Sequence, residues 1–197
     1  MSQGQLTKVK AVKAAEVCRH FELKEETRSV LRDGLSPREF VDALLANKHY
    51  PAAIQFLAHA LPHREAILWG CLCLEHATGD GWPDVEKAAC KAAVQWVLDP
   101  SEENRQATKA PADAAGVSAP AGALAMAVSW TGGSMTADNL PPVPPGPSLP
   151  AKGVAGAVAL AAVKADATKI ADTQRRFVEL GIAVAEGKVV WPELKKK

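Results

Sequence analysis

Residues 36–77 read SPREFVDALLANKHYPAAIQFLAHALPHREAILWGCLCLEHA, and three helix starts are written into them. Ser36, Pro37 and Glu39 supply a capping hydroxyl, a proline at the first helical position and a carboxylate three residues after the cap, which together satisfy the orphan N–H groups of a helix start. A helix is therefore predicted from Pro37, with Phe40, Val41, Leu44 and Leu45 as its buried stripe and Asn47-Lys48 as its end. Pro51 suits the first turn of a second helix carrying Ile54, Phe56, Leu57, Ala60 and Leu61, and Pro62 opens a third from His63 to about Ala77. In that third helix Ile67, Leu68, Trp69, Cys71, Leu72, Cys73 and Leu74 leave almost no polar face, so it belongs at the centre of the first half, surrounded by other helices.

Outward from this stretch the same signals continue. Toward the N-terminus, Leu6, Val9, Val12, Val17 and Cys18 fall at helical spacing and predict an amphipathic helix over 6–21, followed by two polar turns that stop at Asp33-Gly34. Toward the C-terminus, Pro83-Asp84 opens a helix with a stripe of Val85, Ala88, Ala89, Ala92, Ala93, Trp96 and Val97. Ser101 caps a further helix, which Pro111 breaks or kinks, and an Ala-rich helix runs from Pro120 to Trp130 before Thr131-Gly132-Gly133-Ser134 ends it. Residues 139–150, NLPPVPPGPSLP, read as an extended connector because successive prolines fix φ and remove donors. Two last helices follow, Val154–Lys164 and Ile170 to about Glu186, with Val189-Val190-Trp191 as an apolar clamp on the C-terminus. The fold class is all-α. Short Pro- and Gly-marked turns predict an irregular array of antiparallel helical hairpins, repeat-like only in a loose echo between the helices that end at Trp96 and Trp130. The expected organisation is an N-terminal helical segment (1–35), a central array (36–138), the connector (139–150) and a C-terminal helical pair (151–197) packed on the same domain.

Composition agrees with helices. Of 197 residues 48% are hydrophobic but only 5% aromatic, so Ala, Val and Leu carry the apolar content, and a core of this size requires no cofactor for stability. Twenty-three basic residues balance 22 acidic ones, which argues against nucleic acid and anionic membrane as partners. The start lacks the apolar core of a secretory signal and no run approaches the roughly 20 apolar residues of a membrane span, so the expected compartment is the cytoplasm. Cys18, Cys71, Cys73 and Cys90 are accordingly expected as reduced, mostly buried thiols.

Few groupings carry chemistry. His59, His63, Cys73 and His76 mix imidazole and thiolate, the soft donor set of zinc or copper, and form the one metal-ligand candidate; Cys71 and Cys73 lie about 200° apart on a helix and cannot both serve. A cysteine nucleophile with His63 or His76 as base and Glu75 as orienter is disfavoured by an apolar helix, which raises a thiol's pKa. Thr131–Ser134 resembles an anion-cradling loop in composition but lacks P-loop spacing and lysine, and reads as a helix stop. Lys8, Lys10, Lys13, Arg175-Arg176 and Lys195–Lys197 read as solvated faces. Among five tryptophans, Trp82 in a Gly-Trp-Pro turn is the one expected to be partly exposed and available to a partner. The proline run reads first as a strap packed over the helices and alternatively as a ligand for an aromatic-lined groove.

The stretch Pro37–Ala77, the later SWTGGSM at 129–135 and the proline-rich segment together resemble an uncharacterised bacterial family of helical proteins without an assigned function, over about three quarters of the chain. The resemblance implies a bacterial origin and transfers no site residue. The function expected is a non-enzymatic helical adaptor or scaffold for a protein partner in a bacterial cytoplasm. The alternatives are a metal- or small-ligand-binding protein using the His59/His63/Cys73/His76 region, or an accessory factor of a secretion or effector machine.

Overall fold

A computed structural model describes residues 4–78, 81–136 and 139–189, and within them the chain is helical throughout, with no strand. The helices are α1 (Ala14–Cys18), α2 (Glu25–Arg28), α3 (Pro37–Ala46), α4 (Tyr50–Ala60), α5 (His63–Thr78), α6 (Asp84–Leu98), α7 (Glu102–Ala107), α8 (Lys109–Ala115), α9 (Pro120–Ser129), α10 (Leu149–Ala165) and α11 (Ile170–Ala185). The predicted capping box opens α3: Ser36 Oγ accepts from the Glu39 amide, and the Glu39 carboxylate accepts from the Ser36 amide at 2.9 Å. Ser101 likewise caps α7 through the Asn104 amide, and the chain breaks at Thr108, so that Pro111 sits in the first turn of α8.

The apolar α5 is central. Ile67, Leu68, Trp69, Cys71, Cys73 and Leu74 are buried, and α5 touches α6, α9, α10 and α11. At its start, Arg64 donates to the last carbonyls of α6, Val97 at 2.9 Å and Leu98 at 3.3 Å, which makes the two helices antiparallel and places a cation at a helix C-terminus. The C-terminal helices join the core: α10 lies against α4, α5, α9 and α11, and α11 against α4 and α5. Trp69 fixes the last contact. Its buried indole Nε1 donates to the Phe177 carbonyl of α11 at 2.8 Å, and Gly181, one turn on, lets the ring lie flush, since a Cβ there would come within 2.9 Å of both Trp69 and Leu57. An indole N–H left unpaired in an apolar interior would cost about 1–3 kcal/mol, so this bond sets where α11 docks.

Three expectations change. Helix is confined to Ala14–Cys18 in the predicted 6–21 segment, and Val12 is 76% exposed. Residues 4–13 instead run as an arm along the end of α11, burying Leu6, with the Lys8 amide donating to the Ala185 carbonyl and Thr7 Oγ1 to the Glu186 carbonyl. The connector is shorter than predicted, because Leu149 and Pro150 already form the first turn of α10, where proline costs no hydrogen bond. In α6, Val85 and Ala88 face outward and Glu86 takes the inward place with Ala89, Ala93, Trp96 and Val97. The C-terminal clamp rests on Val190 and Trp191, which lie outside the described residues.

Gly181→Val should lower the unfolding free energy by about 1–3 kcal/mol through overpacking against Trp69 and Leu57. Gly156→Ala in α10, whose added methyl meets open space, should raise it by about 0.5–1 kcal/mol. Urea denaturation of both variants checks the pair, and equal effects would remove Trp69 from the role given to it.

Candidate interaction surface

The surface that stands out is the loop between α9 and α10, and it begins with a buried cation. Arg105 of α7 is only 3% exposed; its Nε and Nη2 grip the Glu102 carboxylate at 2.7 and 2.5 Å, and its Nη1 donates to the Ser129 carbonyl at the end of α9 at 2.5 Å. Hydrogen bonds from Arg105 and then Gln106 hold the Glu102 carboxyl down to about 2. The bidentate geometry is the strong form of the pair and lays the guanidinium along the α9 terminus. Gly133 turns directly over it with φ +65°, and a Cβ at that position would collide with the guanidinium. The Thr-Gly-Gly-Ser sequence is thus a helix stop shaped around an arginine.

From there the chain folds back on itself. Ser134 Oγ accepts from the Thr136 amide at 3.1 Å and the Val143 amide at 3.0 Å, the Met135 amide donates to the Val143 carbonyl at 2.8 Å, and Thr136 Oγ1 donates to the Pro141 carbonyl at 2.8 Å. At the far end the Leu149 amide closes on the Gly146 carbonyl and Ser148 Oγ reaches the His20 carbonyl. Between these anchors the segment does not cover the helices. Residues 139–144, 146 and 147 are exposed, with Leu140 at 54% and Val143 at 45%, so the strap reading is corrected: the segment is pinned but outward-facing. From Leu140 to Pro147 every residue is a proline or precedes one, which excludes helix, and the chain has no regular secondary structure over 141–146 before it turns at Pro147. The carbonyls of Pro142 and Pro144 accept no hydrogen bond among the described residues. Beneath the loop lies a depression of about 260 Å³, lined among others by Lys109, Met126, Trp130 and Met135.

The metal-ligand candidates do not assemble. His63 and His76 stand exposed near opposite ends of α5, about 20 Å apart at 1.5 Å per residue, while Cys73 is wholly buried and its thiol pushed well up by desolvation. His59, on α4, stacks on Phe21 with ring centroids 4.8 Å apart and shares a depression of about 400 Å³ with Lys10, Glu16 and His20. Among the described residues no three His, Cys, Asp or Glu side chains are grouped to hold a metal ion. Trp82 is half-buried, its ring 5.5 Å from the Lys164 ammonium. Sequence reasoning did not single out Arg105, and it read Ser134 only as part of a helix stop; an arginine in a short helix and a serine after two glycines are commonplace until the fold joins them.

A protein-family model matches residues 40–185, about three quarters of the chain. The chain belongs to DUF6931, a family of unknown function. The DUF6931 match runs from Phe40 in α3 to the last residue of α11 and takes in Arg105, the Gly133 turn and the whole proline-rich segment. No curated protein and no solved structure matches the chain. Among the described residues no helix is long and apolar enough to cross a membrane.

Ser134→Ala should leave global stability within about 1 kcal/mol of the parent, since a single half-buried hydroxyl is lost, but should speed hydrogen exchange at the Val143 amide about tenfold. His59 gives a second expectation. Desolvation first, then the charges of His20 and Lys152, hold its imidazole down to about 4, so the folded state resists a proton that the unfolded chain accepts near 6.5. Stability should therefore fall as pH drops from about 6.5 to about 4, by about 1–2 kcal/mol once partial screening of this half-buried ring is allowed for. Comparison of melting curves with His59→Gln, which removes that slope, is the check; parallel pH profiles for the two proteins would count against it.

Proposed function

We propose that the chain is a helical adaptor of the bacterial cytoplasm that offers Leu140–Pro147 to an aromatic-lined groove on a protein partner. The observation that carries this reading is a proline-rich segment anchored at both ends and exposed between them. Extended proline segments suit such grooves because little backbone freedom is lost on binding and because their carbonyls accept from the N–H or O–H of groove tryptophans and tyrosines. Here the carbonyls of Pro142 and Pro144 supply those acceptors, and Leu140 and Val143, three residues apart and so on one edge at three residues per turn, supply the apolar contact. Anchoring by Ser134 and Arg105 reduces the ordering cost further. Four unpaired cysteines and near-neutral charge support an intracellular protein partner over nucleic acid.

A photo-crosslinking residue placed at Leu140 should capture a discrete partner in extracts of the source organism. Replacement of Pro142 and Pro144 by serine should reduce that adduct at least tenfold while the melting temperature stays within a few degrees. An adduct pattern indifferent to the two prolines would sink the reading.

A further inference from the structure

Two cysteines that the proposed function does not use meet where α5 touches α6. The hydrogen bonds from Arg64 to the Val97 and Leu98 carbonyls fix the register of these antiparallel helices, so a step inward along α5 is matched by an equal step back along α6. Seven residues on from Arg64 stands Cys71, and seven back from Val97 stands Cys90, each about 10 Å inward at 1.5 Å per residue. Seven residues are close to two helical turns, so Cys71 shares the face of α5 from which Arg64 reaches α6. Cys71 is buried, Cys90 is half-buried, and both are free thiols. Each lies in the field of its neighbours. Burial first, and then the charge of Cys90, push the Cys71 thiol well up; burial first, and then the charge of Glu75 one turn beyond Cys71, raise Cys90 to about 11.

We propose that Cys71 and Cys90 form an oxidisable pair, which a peroxide converts to a disulfide that staples α5 to α6. Packed helix axes lie about 8–10 Å apart and each Cα sits about 2.3 Å from its axis, so residues level with one another on facing sides have Cα atoms about 5–6 Å apart. A disulfide spans about 4.4–6.8 Å between Cα atoms. Cys90, the more exposed member, is the one a small oxidant reaches. Its thiolate attacks one peroxide oxygen, the O–O bond breaks, hydroxide leaves and a sulfenic acid forms. The Cys71 sulfur then attacks the sulfenic sulfur; the S–S bond forms, the S–O bond breaks and a second hydroxide leaves. The two hydroxides take up the two thiol protons. Two thiols and one peroxide thus give one disulfide and two waters, the thiols losing the two electrons that the peroxide gains. The other cysteines are placed elsewhere: Cys73 lies about 200° round α5 from Cys71, and Cys18 belongs to α1, which packs on α3 and α4. Burial keeps both members of the pair protonated near neutrality, so the link answers sustained exposure to peroxide and not a brief pulse. The inference is independent of the proline-rich segment.

The test treats the reduced full chain with hydrogen peroxide, blocks remaining thiols with an alkylating agent under denaturing conditions, and maps the peptides by mass spectrometry. A Cys71–Cys90 linkage within one chain is expected, with the loss of two hydrogens in mass. The melting temperature should rise by about 5 °C or more and fall back on reduction, since the link closes a ring of about 20 residues. Cys90→Ser, at a half-buried position that tolerates a hydroxyl, should keep the circular dichroism of the parent but lose both the linkage and the rise. Cys18→Ser and Cys73→Ala should retain both. Thiols that stay reduced, Cys90 driven on to sulfinic acid without a linkage, a linkage to Cys18, Cys73 or a second chain, or a Cys71–Cys90 linkage that leaves the melting temperature unchanged would overturn the proposal.

Discussion

A single buried hydrogen bond organises the packing of this chain. The Trp69 indole lies in the buried middle of α5, and its N–H has to find an acceptor inside the protein; it finds the Phe177 carbonyl, more than a hundred residues away in sequence. That pairing requires α11 to pass close over α5, and the missing side chain at Gly181 makes the approach possible. With α11 so placed, α10 is held beside α4, α5 and α9, and the end of α11 becomes the ledge along which the N-terminal arm lies. The long-range order of the molecule follows from a polar atom in an apolar place, whereas the hydrophobic contacts around it are small, numerous and individually undirected.

How much of this the sequence discloses depends on whether a signal is local. Ser36-Pro37-Arg38-Glu39, Ser101, Pro120 and the prolines at 51 and 62 act within one turn of chain, and each marks a helix start within a residue or two of where it falls. The central placing of α5 is legible for the same reason, since a helix apolar on every side has one possible environment. Leu6, Val9 and Val12 mislead because helical spacing over so few residues is also met by an irregular arm that turns at Thr7-Lys8 and bonds to α11, a partner nearly the whole chain away. Glu86 was hidden differently. Its place on the stripe with Ala89, Ala93 and Trp96 is visible once looked for, but a carboxylate is assigned outward unless the lysine that pairs with it, 78 residues later, is known.

The proline-rich loop and the buried Glu86 differ in how they handle polar groups. In the proline-rich loop five prolines remove their donors and the Val143 amide is tied to Ser134, so what is presented outward is largely apolar edge and bare carbonyl. At Glu86 the polar group is instead a buried charge, held by Lys164 of α10. The metal-ligand set shows the opposite outcome: residue types with the right chemistry, distributed along one rigid helix and its neighbour, are kept apart by the very regularity that defines their spacing.

The N-terminal arm and the end of α11 lie side by side. Arg38 Nη1 joins the Gly4 carbonyl to the Glu186 carboxylate, and the Lys8 amide meets the Ala185 carbonyl. In mechanical terms, a pull on these two segments in opposite directions loads this seam first, one hydrogen bond after another, while the core helices carry no tension. The arm would part from the bundle before the bundle itself yields, because only these few hydrogen bonds and the buried Leu6 hold it there.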